Sequence, residues 1–378
     1  MSDTLDPARL RKRDHAGMVL IPWILGIVAY WLIVIADPYH LRPGGPTFRV
    51  ADHLYPDFVW PRLIGVLTAE PHDVVVVGGS TAMLITPPMM RAEFGAQSPF
   101  NLSYLAPRPL DMPLILPRIG RISGLKHVIL FMDQMLMEKA PKLSGTGVIL
   151  ESMAATNWSH RADFSWSTAL ASLHALVTGT FDLPLWTFRS RPDYMSDDVP
   201  LPESADRMQR LRAAVRRHAV DVFAKSSLTC GQLPYLQTQL APFLREMAAK
   251  HIAVDLVFPP LPYVFYYDWI DFRVPYNDTL LPGPVFDQFM VFKRSVIAVR
   301  DEVGRDSARV LALDASGSLS GDIGRYVDSV HLIDPQAYRS MARLIAKGDD
   351  VIDSTNIDQH EADLRIRIVR SIAKLDIN

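Results

Sequence analysis

Cysteine is all but missing from this 378-residue chain, and Cys230 alone cannot close an internal disulfide, so whatever folds here relies on its apolar core. No Cys-x-x-Cys, His/Cys cluster or His-Glu-x-x-His occurs and the eleven histidines are scattered, so no metal site is expected and no cofactor is implied. Charge of one sign is lacking too. A net value of −2 with neutral histidine gives no general electrostatic footprint for nucleic acid. Internal repeats and low-complexity runs are absent, which excludes a repeat architecture.

What the chain does have is one long stretch without charge. Met1 to His15 is polar and carries Arg9, Arg11, Lys12 and Arg13, whereas Gly17 to Ala36 is uncharged and mostly apolar. Twenty such residues rise about 30 Å as a helix, enough to cross the hydrocarbon core of a bilayer. Trp23, Tyr30 and Trp31 suit a membrane segment. A cleaved signal peptide is the competing reading, although the segment is long and no clear Ala-x-Ala site precedes Asp37-Pro38. The positive-inside rule then predicts a cytoplasmic tail over 1–16, an uncleaved single-pass anchor over 17–36 in the inner (plasma) membrane, and a periplasmic or otherwise extracytoplasmic remainder. That remainder, roughly 340 residues, suffices for one large domain with insertions or for two.

The stretch from Asp73 to Ala82, DVVVVGGSTA, organises the rest. Four valines bounded by turn residues read as a buried strand of a parallel sheet. The glycines allow a sharp turn that leaves Ser80 exposed at the carboxyl edge, where open α/β folds place their ligands. A plainer reading makes Ser80 the N-cap of a helix beginning near Thr81. Far downstream, Tyr326 to His331 reads YVDSVH. Asp328 and His331, three positions apart on one loop, can set a carboxylate against one ring nitrogen and leave the other to face a serine. Asp328 capping a local turn, with His331 at the surface, is the structural alternative.

Order and spacing separate serine hydrolase designs. The α/β-hydrolase elbow wants Gly-x-Ser-x-Gly well inside the sheet, with Asp and His on separate loops. Here Gly78-x-Ser80-x-Ala82 follows an early strand, and Asp328 and His331 share a loop. This resembles the SGNH/GDSL hydrolase superfamily, whose nucleophile follows the first strand and whose Asp-x-x-His motif lies near the C-terminal end. The resemblance implies Ser80 as nucleophile, His331 as general base and Asp328 as its orienting partner.

That family builds its oxyanion hole from the serine amide, a glycine amide after the second strand and an asparagine side chain after the third. The second-strand segment here, Phe100 to Ala106, has no glycine, and the third, Val128 to Gln134, carries Asp133 in place of the amide. Hole donors are typically worth about 3 to 4 kcal/mol each, and an ionised Asp133 would supply the wrong sign. Asp133 is therefore protonated, turned away or outside the hole, and Asn101 and the amide of Gln134 are the substitute donors. Similar erosion marks membrane-anchored members that acylate or deacylate envelope polymers, including the teichoic-acid D-alanylation and alginate O-acetylation proteins.

Strands are expected at Val74–Val77, Phe100–Ser103, His127–Met132, Ala253–Phe258 and Val310–Leu313, with helical stretches between. This is an α/β architecture: a five-stranded parallel sheet in a three-layer α/β/α sandwich of SGNH, flavodoxin-like type over 72–350. Residues 37–71 read as an irregular stem and 351–378 as a C-terminal helix or tail, docking or interfacial. The gap of about 120 residues between the third and fourth strands exceeds a usual connection, so a mainly helical insertion is expected over 138–250. In it, Phe164 to Val177 and Gln237 to His251 read as helices, and Asp206 to Lys225 as an amphipathic helix with a basic face that is solvated or meets an anionic partner. After the fourth strand, Tyr263, Tyr266, Tyr267 and Trp269 are candidate substrate contacts, since aromatic rings stack on sugars and line acyl pockets, with loop packing as the alternative.

The function expected is a membrane-anchored serine esterase or acyltransferase working on an acyl group, acetyl by family inference, of an exopolysaccharide such as alginate or cellulose or of another envelope polymer. A multi-pass membrane acyltransferase or polysaccharide synthase complex would be its protein partner. The alternative is a catalytically silent scaffold of the same fold in such a complex.

Overall fold

The computed structural model describes residues 7–36, 49–50, 71–104, 107–137, 143, 166–181, 233–266, 285–304, 306, 308–326, 331–332 and 335–374. In chain order the elements are α1 (Pro7–Ala36), β1 (Arg49–Val50), β2 (Val74–Val77), α2 (Pro87–Phe94), β3 (Pro99–Asn101), α3 (Met112–Ile119), β4 (His127–Phe131), α4 (Trp166–Thr178), β5 (Thr180–Phe181), α5 (Ala241–Ala249), β6 (Ala253–Phe258), α6 (Val285–Val303), β7 (Ala308–Ala312), α7 (Pro335–Lys347) and α8 (Ile357–Lys374).

Every valine of β2 is buried, and the strand has a parallel neighbour on each side. The main sheet runs β3-β2-β4-β6-β7, and each neighbouring pair is parallel. All five expected strands are present; the second and fifth begin one and two residues earlier than their patterns suggested. The order reverses at β2, so chain leaving β2 and β4 diverges and opens a crevice at the carboxyl edge. Contacts sort the helices into two groups, α2 with α7, and α5 with α6. Right-handed crossovers put such groups on opposite faces of the sheet.

Two differences concern the outer segments. The expected stem is not wholly irregular: β1 pairs in parallel with β5 of the insertion, Arg49 opposite Thr180 and Val50 opposite Phe181. The C-terminal segment is a docking helix that starts earlier than its apolar pattern, burying Ile357, Leu364 and Ile368 and leaving Ile366 and Val369 exposed. Ion pairs from Arg294 to Asp358 and Glu361, and from Arg365 to Asp287, tie it to α6. Among the residues whose side chains are described, no helix is long and apolar enough to cross a membrane. In α1 these begin at Ile21, so they take in only the later part of the uncharged run. The expected Asp206–Lys225 helix lies outside the described residues.

Two buried carboxylates brace the sheet. Asp255, in β6, accepts from His127 Nε2 on one neighbouring strand at 2.8 Å and from Arg309 Nε and Nη2 on the other at 2.7 Å each. Burial pushes its pKa up, but these partners hold it below the ordinary carboxylate range. Asp314, just past β7, accepts from Lys293 Nζ at 2.5 Å and Tyr266 Oη at 3.1 Å. Lys293 also donates to His360 Nε2 at 2.9 Å and lies over the rings of Phe258 and Phe289. The network ties α6 and α8 to the start of the loop that leads to His331.

Desolvation, reinforced by the Lys293 charge, lowers the His360 pKa from 6.5 to about 4. The unfolded chain therefore takes up this proton before the folded one. Stability from this group is full above pH 6.5 and declines as pH falls toward 4, by about 3 kcal/mol in all. His360→Gln, which keeps an acceptor for Lys293, is expected to flatten that decline in urea unfolding followed against pH. An unchanged slope would show that His360 is not its source.

Candidate active site at the carboxyl edge of the sheet

Beyond Val77 the chain turns through Gly78 and Gly79, and close approach makes both glycines necessary. A Cβ on Gly78 would stand 2.6 Å from Phe131 Cβ, and one on Gly79 would overlap Oδ2 of Asp133. That carboxylate grips the turn. The Gly79 amide donates to Oδ2 and the Thr81 hydroxyl to Oδ1, each at 2.8 Å and both buried. Ser80 is thus bracketed by two bonds to one side chain. It is itself half-buried, and among the described residues its hydroxyl is engaged in no hydrogen bond.

The helix expected near Thr81 does not start there. The chain instead makes successive turns, Ala82 N to Gly79 O at 3.0 Å and Ile85 N to Ala82 O at 3.1 Å, and α2 begins at Pro87. Its N-cap is Thr86, whose hydroxyl accepts from Met89 N at 3.4 Å, and proline suits the first helical position. Asn101 explains the delay. Its Nδ2 donates to Ala82 O at 2.9 Å and Ile85 O at 2.8 Å, while Oδ1 accepts from Ser103 N at 2.8 Å. No helix begins at Ser80, so the N-cap account of that residue fails. The same bonds remove Asn101 from the oxyanion donors, because both its amide hydrogens are spent on the turn.

Asp133 resolves the alternatives left open by the sequence: it is turned onto the serine loop. Burial raises its pKa, the bonds from Thr81 and Gly79 and the field of His331 lower it, and the net position is above the ordinary carboxylate range. His331 is therefore within electrostatic reach of the group that holds both neighbours of Ser80. It is half-buried, beside an antiparallel bridge between Tyr326 and Leu332. Two segments far apart in sequence thereby share one edge of the sheet. Asp328 lies outside the described residues.

Buried polar ends stand on the strands either side of β2. Gln134, after β4, is 5% exposed, and its Oε1 is buried with no hydrogen-bond partner among the described residues. After β3, the Ser103 hydroxyl is in the same condition. Neither Ser103 nor Thr81 was singled out by sequence reasoning. Ser103 lies within the second-strand segment, where a glycine was sought and a hydroxyl went unweighed; Thr81 had its signal in adjacency to Ser80.

The aromatic cluster after β6 differs from expectation. Tyr266 is buried with its ring against Phe286 and Phe289 and its hydroxyl on Asp314, and Tyr263 is buried with its hydroxyl on Ala315 O at 3.1 Å. Both are core residues that hold the loop after β7, not surfaces for a substrate, so loop packing is the correct alternative for these two. Tyr267 and Trp269 lie outside the described residues. Among the described residues no group of His, Cys, Asp and Glu could hold a metal ion.

Asp133→Ala is expected to strand two buried donors, at about 1 to 3 kcal/mol for each unsatisfied group. Asp133→Asn preserves size and removes the charge. Because the folded carboxyl keeps its proton above the unfolded value of about 3.9, its contribution is full below that pH and is lost as pH rises through the folded value. Wild-type stability should therefore decline relative to Asp133→Asn as pH rises above the ordinary carboxylate range in urea titrations. A difference independent of pH would show an unperturbed carboxyl.

No protein-family description matches the chain, and no curated protein does. Among solved structures, one from Streptococcus pneumonia named, provisionally, a platelet activating factor aligns over 89% of this chain and 97% of its own, at 10% identity and a TM-score of 0.33. At that score the likeness bears on neither the fold nor the activity.

Proposed function

We propose that the chain is a serine esterase or O-acyltransferase of SGNH/GDSL type, a three-layer α/β/α domain held by α1 at the outer face of the inner membrane. Its substrate is an acyl group, acetyl in the first instance, on an exopolysaccharide or other envelope polymer. The observation that supports this reading is the double grip of Asp133 on the residues flanking Ser80, within the field of His331. It presents an unengaged serine hydroxyl on a fixed turn at the edge where α/β folds bind ligands.

In this reading His331 takes the proton from Ser80 Oγ as that oxygen attacks the ester carbonyl, and Asp328 fixes the imidazole tautomer. The oxyanion falls to the Ser103 hydroxyl and the Gln134 amide, which replace the family's glycine and asparagine. Collapse breaks the ester bond, and His331 returns the proton to the departing alcohol. Acyl-Ser80 is then attacked by water or by a sugar hydroxyl, and exclusion of water decides between them. Asp133 is too committed to Gly79 and Thr81 to oppose the oxyanion directly. The scaffold reading draws its support from Asn101, whose amide serves the turn rather than a substrate.

The full chain in detergent, mixed with p-nitrophenyl acetate, should release a burst of nitrophenol and gain the mass of one acetyl group. Ser80→Ala should abolish the adduct and lower turnover by about 10³-fold or more, and His331→Ala should do nearly as much. An adduct that survives in Ser80→Ala would exclude this nucleophile. A folded wild type that forms no adduct with the model ester or with an acetylated polymer would favour the scaffold.

A further inference from the structure

We propose that α4, inside the insertion, is a second membrane element that lies in the same bilayer as α1. This rests on the reading of α1 as an anchor and extends it to a helix of the insertion.

The two helices pack together, and their pairing is inverted relative to a water-facing one. Buried between them are small residues, Ala169, Ser172 and Ala175 on α4 and Ala29 and Ala36 on α1, with Ile33. The large apolar side chains point outward instead. On α4, Leu170, Leu173 and Leu176 are each about two-fifths exposed and Val177 is 78% exposed. On α1 the outward residues include Ile24, Ile27 and Trp31. Small residues inside and leucines outside are the arrangement of helices that associate within lipid, where close backbone approach supplies the attraction and the surroundings are as apolar as leucine. In water the same surface would be a large exposed apolar patch.

The occupant is a bilayer rather than a protein groove because large apolar side chains are exposed on both of two packed helices and α1 carries exposed aromatic rings as well. An open groove of about 740 Å³ on α1 is lined by Pro22, Trp23, Gly26, Ile27, Tyr30 and Trp31. The basic run from Arg9 to Arg13 at the start of α1 complements anionic headgroups. With 13 residues, α4 is about 20 Å long and cannot span. His174, exposed and bonded by the Thr178 hydroxyl, suits headgroup depth, so α4 enters shallowly and returns through Gly179 into β5. The pairing of β5 with β1 then gathers the chain leaving each helix into one point of attachment.

The test uses the full chain with Cys230→Ser, reconstituted in phosphatidylethanolamine and phosphatidylglycerol vesicles. An environment-sensitive fluorophore is attached to single cysteines at exposed positions: Ile27→Cys on α1, Leu173→Cys on α4 and Gln359→Cys on α8. Spin-labelled lipid should quench the Leu173 probe to within about a factor of two of the Ile27 probe and leave Gln359 unquenched. Quenching at Ile27 but not Leu173 would overturn the inference and leave the anchor standing. No quenching at Ile27 would overturn both. A Leu173 probe exposed in pure lipid but shielded in native membranes would overturn it in favour of a membrane-protein partner.

Discussion

The buried carboxylate of Asp133 is the constraint on which the site depends. It reaches across from β4 to the turn after β2, and it fixes the chain on both sides of Ser80 while leaving that side chain unengaged. The arrangement explains both glycines, since any larger residue at 78 or 79 would collide with β4 or with the carboxylate. Removing a carboxylate from water is costly, and the raised pKa registers that cost. Two short hydrogen bonds and a nearby imidazole offset part of it. A side chain that looked like a defect in an oxyanion hole is thereby the support of the turn it was thought to spoil.

In the proposed mechanism Ser80 is served by His331, and a second buried charge, Asp314, stands before it in the chain. Asp314 starts the loop that ends at His331, and Lys293 and Tyr266 fix it from α6 and from the segment after β6. Tyr263 adds its amide to Ser320 O and its hydroxyl to Ala315 O. The loop is braced from α6 and from the segment after β6, while β7, at the edge of the parallel sheet, is met on its outer side by an antiparallel bridge between Leu311 and Val351. Asp255, by contrast, has a strand on each side and is satisfied within the sheet. Deleting one charge of the Lys293–Asp314 pair would leave the other buried alone, which is far more damaging than never having had the pair, whereas Arg309 of the Asp255 network is partly exposed.

Legibility followed the range of the interactions. Strands β2, β4 and β6 could be read because each is a short run of apolar, β-branched residues between turns, a pattern set by burial on both faces. Helix α4 could be read from its periodicity, Phe164 to Val177 being expected and Trp166–Thr178 observed. The delayed start of α2 could not, because it is imposed by Asn101 from a strand that comes later in the chain and by a proline pair whose effect on Ser80 is indirect. The burial of Tyr263 and Tyr266 was equally hidden, since an aromatic run beside a site looks the same whether its hydroxyls face solvent or find Asp314 and Ala315. Ser103 was missed for a different reason: a backbone donor was sought where a side chain can serve.

The helices α1 and α4 give the proposed chemistry a geometry. A domain held by one helix through a stem can sweep a wide volume above a bilayer, and its active site meets any polymer that passes. If both helices lie in one bilayer as proposed, joined by the β1–β5 pair, much of that freedom would be removed, because a second contact becomes effectively intramolecular once the first is made. Ser80 would then stand at a restricted height over the membrane. That arrangement serves little purpose for an esterase trimming a soluble polymer. It serves an acyltransferase whose donor arrives through the membrane, since transfer requires the donor and the sugar hydroxyl to meet at one serine before water does. On the proposed placement, a site so restricted would favour transfer over hydrolysis.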